Sequence, residues 1–290
     1  MLCFYCKFEN NHFTMKTILI PTDFSSTAIN AADYAIGFAK QLRIDNILLY
    51  NAWQPVSISD PMSTLIISEI DAIKDASHLQ LEKEAERLKK KCPMHISIET
   101  LSELAILENG VEELCKQKEI TYIIIGITGG GTLDEKLIGS NTITISHKTE
   151  VPVIIIPKDC SYQFIAKAMF LSDFKDINTS VPQEQIKDFL EAAMPQLEVV
   201  NFDPEFTREE FEPALEKFAL QHLFRKYAPQ YKYSLRNDFE DAVNEFAEDD
   251  KVQIIINVAK KHSWLYNILH SSYTNKLAFH TKVPLMVIHT

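Results

Sequence analysis

Short runs of apolar, mostly β-branched residues constrain this chain more than any other feature. Ile18-Leu19-Ile20, Ile47-Leu48-Leu49-Tyr50, Ile123-Ile124-Ile125 and residues 151–156 each have the length of one strand and are far too short to cross a bilayer. None alternates with polar residues, so both faces of such strands must be covered. Between them the apolar residues fall at helical spacing instead. Ala28, Ala31, Ala32, Ala35, Ile36, Ala39 and Leu42 form one such series, with Ser25 or Ser26 placed to cap it. A longer series carries Ile66, Ile70, Ile73, Leu81, Ala85 and Leu88. Residues 96–98 make a third strand, Val111, Leu114 and Cys115 mark a third helix, and residues 143–147 lie on a fourth. Strand and helix in alternation predict an α/β fold, a parallel sheet flanked by helices on both faces.

The alternation then starts again. Residues 168–171 parallel the first strand, and Ser172-Asp173-Phe174 parallels Thr22-Asp23-Phe24. Residues 197–200, 233–235, 254–256 and 285–288 supply four more strands. The helices between them are led by Ile186, Phe189 and Leu190, by Phe211, Leu215 and Phe218, and by Phe239, Val243 and Phe246. Val151-Pro152-Val153 near the end of the first half is matched by Val283-Pro284-Leu285 at the end of the second. Two correspondences at matching places point to an internal repeat, and 290 residues suit two domains. The expected division is an extension over 1–14 outside the fold, a first domain over 15–158 and a second over 168–290. The joint between them is short and not Gly/Ser-rich, which favours two halves packed as a pseudo-dimer over two that swing freely. A further homodimer of the whole chain stays open.

Charge removes several function classes. With 29 Lys and Arg against 40 Asp and Glu, the net charge of −11 repels nucleic acid, and no basic stripe overrides that field. Residues 1–14 lack a continuous apolar core, so they do not read as a signal peptide, and the expected location is the cytoplasm. Five cysteines are odd in number and sparse, so no disulfide framework is expected. Cys3 and Cys6 have CxxC spacing but no second ligand pair, and His147, His262, His270 and His280 form no cluster of metal-ligand spacing, so no metal ligand is assigned. Phe202, Phe206, Phe211, Phe218 and Phe224 read as core or interface aromatics.

Four of the seven glycines fall at 126, 129, 130 and 131, at the carboxyl end of a buried strand. Ligands of open α/β sheets bind at that end, and glycines there let backbone amides approach phosphate oxygens. Gly139-Ser140 then opens a helix, whose free amides and positive end favour an anion. Together these make a phosphate cradle without lysine. The chain holds neither a Gly-Lys-Ser/Thr loop nor the GxGxxG spacing.

The spacing of Gly126, Gly129, Gly139 and Ser140, with Ile18-Leu19-Ile20-Pro21-Thr22-Asp23-Phe24-Ser25 before it and Val151-Pro152-Val153-Ile154-Ile155-Ile156-Pro157 after it, resembles the ATP-binding branch of the universal stress protein family. The resemblance covers nearly the whole chain, more weakly in the second half. It implies two tandem Rossmann-like domains of adenine nucleotide alpha hydrolase-like type, each a five-stranded parallel sheet flanked by helices. It also implies a role in stress response or signalling, with ATP or AMP as ligand and, in some members, Mg on the phosphates. By the same resemblance, Asp23 lies beside adenine and ribose, and the backbone of Ala52 hydrogen-bonds adenine. Gly126 and Gly129 form the ribose and phosphate loop, and Gly139, Ser140 and Asn141 the phosphate-binding helix start. In the second half, Asn257-Val258-Ala259-Lys260-Lys261 stands where the first two glycines are expected and His270-Ser271-Ser272-Tyr273 where the third is, so that half reads as a structural or partner-facing copy. Two rivals remain. One is a scaffold that binds no nucleotide and acts through protein contacts. The other is an enzyme with at most slow ATP hydrolysis, since no placed base stands out.

Overall fold

The computed structural model describes residues 15–54, 66–127, 140–172, 181–201, 215–234, 239–259 and 281–289. The first half contains β1 (Thr17–Pro21), α1 (Ser26–Leu42), β2 (Asn46–Trp53), α2 (Ile66–Lys89), β3 (Ser97–Leu104), α3 (Leu107–Gln117), β4 (Ile120–Ile127), α4 (Ser140–Lys148) and β5 (Val153–Pro157). The second contains β6 (Lys167–Leu171), α5 (Gln183–Ala193), β7 (Gln196–Asn201), α6 (Leu215–Phe224), β8 (Gln230–Tyr233), α7 (Phe239–Asp249), β9 (Ile254–Ala259) and β10 (Leu285–His289). The third strand runs on to Leu104, well past the residues predicted from apolarity, because as an edge strand it is largely polar and exposed. The eighth ends at Tyr233, and Leu235 lies outside the described residues.

All ten strands form one sheet, in the order β3-β2-β1-β4-β5-β10-β9-β6-β7-β8. Five parallel strands from each half meet at a single antiparallel pair, where Leu285 faces Ile155, Met286 faces Ile154 and Val287 faces Val153. The Ile123 amide donates to Pro152 O at 3.0 Å and the Ile255 amide to Pro284 O at 2.9 Å, so Leu285 takes in its half the place of Val153. The joint is therefore symmetrical about Ile154 and Met286.

Both faces of the sheet are apolar and continuous across the joint. One face gathers Ile20, Phe38, Ile154, Phe170, Phe189 and Ile254, the other Leu19, Val111, Ile125, Val153, Val243 and Leu285. On the first face Phe38 of α1 stacks on Phe189 of α5, with ring centroids 6.4 Å apart and planes 14° from parallel. The stretch joining the halves is packed down against α1. Asn30 Nδ2 donates to Pro157 O at 3.2 Å and Cys160 O at 3.0 Å. Gln41 Nε2 donates to Ile165 O at 3.0 Å and Ala193 O at 3.2 Å, while its Oε1 accepts from the Ile165 amide and the Tyr162 hydroxyl. A Cβ on Gly37 would stand 2.1 Å from the Tyr162 ring, so that glycine lets the ring lie flat on α1.

The strand register corrects one reading. Apolar runs carry no internal marker, and sequence matching set Asn257 in the place of the first glycine. With Ile255 equivalent to Ile123, Asn257 stands at the position of Ile125 and Val258 at that of Gly126. α1 has 17 residues and α5 has 11, and both end in a left-handed cap, Arg43 at φ 55° and Met194 at φ 48°. Asn257 is left buried at 3% exposure with no partner for Oδ1, on the face where Ile125 packs. An unpaired buried amide costs about 1–3 kcal/mol. Asn257→Ile should therefore raise the urea midpoint at unchanged m-value, by about 1 kcal/mol of stability; a lower midpoint would show that the amide is already satisfied.

Candidate functional site

β1 ends at Pro21, and the next amide, Thr22, still donates to Tyr50 O of β2 at 2.8 Å. The chain then turns sharply, with Phe24 in the left-handed region at φ 64°. Two side chains hold that conformation. Thr22 Oγ1 accepts from the Phe24 amide and Asp23 Oδ1 from the Ser25 amide, both at 3.0 Å. Ser25 next caps α1, its hydroxyl accepting from the Ala28 amide at 3.3 Å. Asp23 is thus a turn residue through one carboxylate oxygen, and it is exposed at the rim of the sheet.

The loop is pinned from below by a residue that sequence reasoning missed. Asn51, buried in β2, donates through Nδ2 to Thr22 O at 2.6 Å. Its Oδ1 accepts from Ser77 Oγ of α2 at 2.7 Å. Ser77 Oγ lies 2.6 Å from Ser102 Oγ of β3, which accepts from Trp53 Nε1 at 2.9 Å. Donors and acceptors run one way, from indole to Ser102, Ser77 and Asn51, so the set is internally satisfied. The signal available in the sequence was an asparagine closing an otherwise apolar strand.

Gly126 lies near the end of β4. A Cβ there would stand 2.4 Å from Thr27 O and 2.8 Å from the Thr27 carbonyl carbon, so the glycine is what allows the first turn of α1 to press onto β4. Thr142 Oγ1, in the first turn of α4, donates to Gly126 O at 3.3 Å. The end of β4 is therefore held between the starts of two helices, and neither first turn carries an acidic residue. Ala52 is half-buried in β2, and Ser140 and Asn141 open α4, with Asn141 exposed. Gly129 and Gly139 lie outside the described residues. Five of the seven predicted residues thus come to one edge of the sheet. They surround the carboxyl ends of β1 and β4, where the connections diverge in opposite directions. The described groups there are backbone amides, a hydroxyl, an amide and one carboxylate. Among the described residues no three His, Cys, Asp or Glu converge as metal ligands, and no helix is long and apolar enough to cross a membrane.

A doubly wound α/β sheet, written twice, defines the class of protein. Residues 14–157 match the sequence model of the universal stress protein family, so the first half of the chain is a domain of that family. Universal stress protein MJ0531 of Methanocaldococcus jannaschii is 26% identical over 152 residues, covering 52% of this chain and 86% of that protein. A universal stress protein from Archaeoglobus fulgidus superposes over 96% of this chain and 97% of its own, with a TM-score of 0.68 at 13% identity. A putative universal stress protein from Pseudomonas aeruginosa gives 0.58 at 11% identity, over 96% of this chain and 94% of its own. At such identities the structural likeness is one of fold, and it runs through both halves.

Asn51→Ala would leave the Thr22 carbonyl and the Ser77 hydroxyl without their partner, so a loss of about 1–3 kcal/mol is expected in urea unfolding. Asn141→Ala, on an exposed helix start, should change stability by less than about 0.5 kcal/mol. Equal effects would mean that the buried chain of hydrogen bonds does not hold the loop.

Proposed function

We propose that the first half binds an adenine nucleotide, ATP or AMP, across the carboxyl ends of β1 and β4. The observation that carries this reading is the end of β4, fixed between the first turns of α1 and α4. A phosphate group near it would meet no acidic residue in either first turn, and it would lie at the positive end of α4. Gly129, Gly139 and Ser140 extend the same cradle in sequence. Asp23 at the rim suits an acceptor for ribose hydroxyls, and the backbone of Ala52 suits the adenine edge. A divalent cation such as Mg would ride on the phosphates, since the cradle itself supplies no metal ligands.

In this reading residues 15–158 are the nucleotide-binding domain and residues 168–290 a degenerate copy. Val258 stands in the place of Gly126, so the glycine spacing of the first half is not repeated. The halves form a fused pseudo-dimer in the cytoplasm, and nucleotide occupancy sets the shape or partner choice of that unit in stress response. This reading does not require turnover of the ligand.

Purified protein heated to release its ligand should yield adenine nucleotide by chromatography and mass spectrometry. Gly129→Arg and Gly139→Arg should each weaken ATP binding at least about tenfold, by filling the space for phosphate, with an unchanged circular dichroism spectrum. Undiminished binding by both variants rules the cradle out and leaves the scaffold reading. ATP turnover that disappears in Gly129→Arg would instead favour a hydrolase.

A further inference from the structure

At the opposite end of the sheet, the amino ends of β4 and β5 and the first turns of α5 enclose a groove of about 900 Å3. It lies on the seam. Its floor comes from the first half and its far wall, Gln185 and Asp188, from the second. Gln185 Nε2 donates across the seam to Glu150 O at 2.8 Å, and its Oε1 is buried without a partner. Tyr122 lines the same groove although only 3% of the residue is exposed. Its ring is held edge-on against Phe38, with centroids 5.3 Å apart at 84°. Its hydroxyl makes no hydrogen bond among the described residues. Burial, with the Asp188 carboxylate nearby, raises its pKa, so it stays a neutral phenol.

The charges around this point are unbalanced. Lys116 is paired with Glu112 at 2.6 Å, and Lys148 Nζ donates to Asn109 Oδ1 at 3.0 Å. Asp188, Glu119 and Glu150 have no ion pair among the described residues, and two cations stand against these three carboxylates, Lys16 and Lys148, whose partner Asn109 is neutral. The Asp188 carboxylate and Gln185 Oε1 are acceptors only, and Tyr122 Oη can accept through its lone pairs while its own proton is free to point to Asp188. An ammonium group offers three donors and no acceptor, and so answers all of them at once. An oxyanion would meet acceptors and net negative charge. An apolar ligand would leave the buried Gln185 oxygen unpaired, at the usual penalty.

We propose that this seam groove binds a small organic polycation carrying primary amines. One ammonium lies among Tyr122, Gln185 and Asp188, and a second faces Glu119 and Glu150. The volume suits such a ligand, and the site is independent of the nucleotide reading, which concerns the other end of the sheet. Because its acceptors come from both halves, the ligand acts as a clamp across the seam.

The test uses the full chain and spermidine, with Mg2+ at matched charge concentration as the control for diffuse counterion binding. Calorimetry should show saturable binding of one spermidine per chain in the range of about 1 mM or tighter, with a rise in Tm that Mg2+ does not reproduce. Asp188→Asn should weaken binding at least about tenfold and Tyr122→Phe at least about threefold, with ATP binding the same as in the parent chain. Tyr122→Phe keeps the ring that packs on Phe38, so it decides the matter even if Asp188→Asn folds poorly. No saturation below about 10 mM, an equal response to Mg2+, or parent-like affinity in Tyr122→Phe would each overturn the site.

Discussion

A parallel strand that is apolar on both faces leaves an open edge when it lies last in its sheet, and β5 and β10 are such strands. Each solves the problem of the other by pairing antiparallel, and most of the architecture depends on that pairing. Once the edges are joined, helices on one face of either half become neighbours across the seam. Phe38 and Phe189 stack there, and the side chain of Gln41 bridges to Ile165 and Ala193 in place of a loose tether. Neither apolar cluster stops at the boundary between halves. Separating them would expose the inner flank of both cores as well as a strand edge, which is why the short connection around Tyr162 behaves as part of the core.

Sequence patterning made the strand count, the α/β class and the repeat legible, because doubly apolar runs of strand length have few other uses. Alternate helices were legible for the same reason, and the cap at Ser25 was predicted with its neighbour as the alternative. What patterning could not fix was register. An isoleucine run looks the same after a shift of one residue, and only the paired amides of Ile123 and Ile255, each bonded to a proline carbonyl, show that Val258 and not Asn257 stands opposite Gly126. The polar edge strand β3 was underestimated, since exposure on its outer side removes the apolar signal. Asn51 was invisible for a different reason. Its role comes from partners 26 and 29 positions away in sequence, Ser77 and Thr22, and no local spacing encodes them.

Gly126 shows how one residue type answers two demands. Spacing marked it as part of a phosphate loop, and the packing at Thr27 gives a complete reason for it without any ligand. The two are linked. Pressing α1 onto β4 brings the cap of that helix, the strained turn at Phe24 and the carboxylate of Asp23 to the same crevice. A glycine that serves packing therefore also builds the rim of the proposed nucleotide site, and substitution at 126 would mix stability with binding.

The same coupling accounts for how the second half diverges. There a valine stands in the place of the glycine. Changes follow on the opposite face as well. Asn257 replaces the isoleucine at 125. Glu198, fully buried, replaces the leucine at 48, with Lys232 at 3.2 Å and Lys167 at 3.0 Å, the latter off hydrogen-bond geometry. Lys232 is in turn shared with Asp250 at 2.6 Å. Burying such an ion-pair ladder costs desolvation that packed aliphatic side chains do not incur. The second half carries both costs, and it shares an edge and two apolar clusters with the first half.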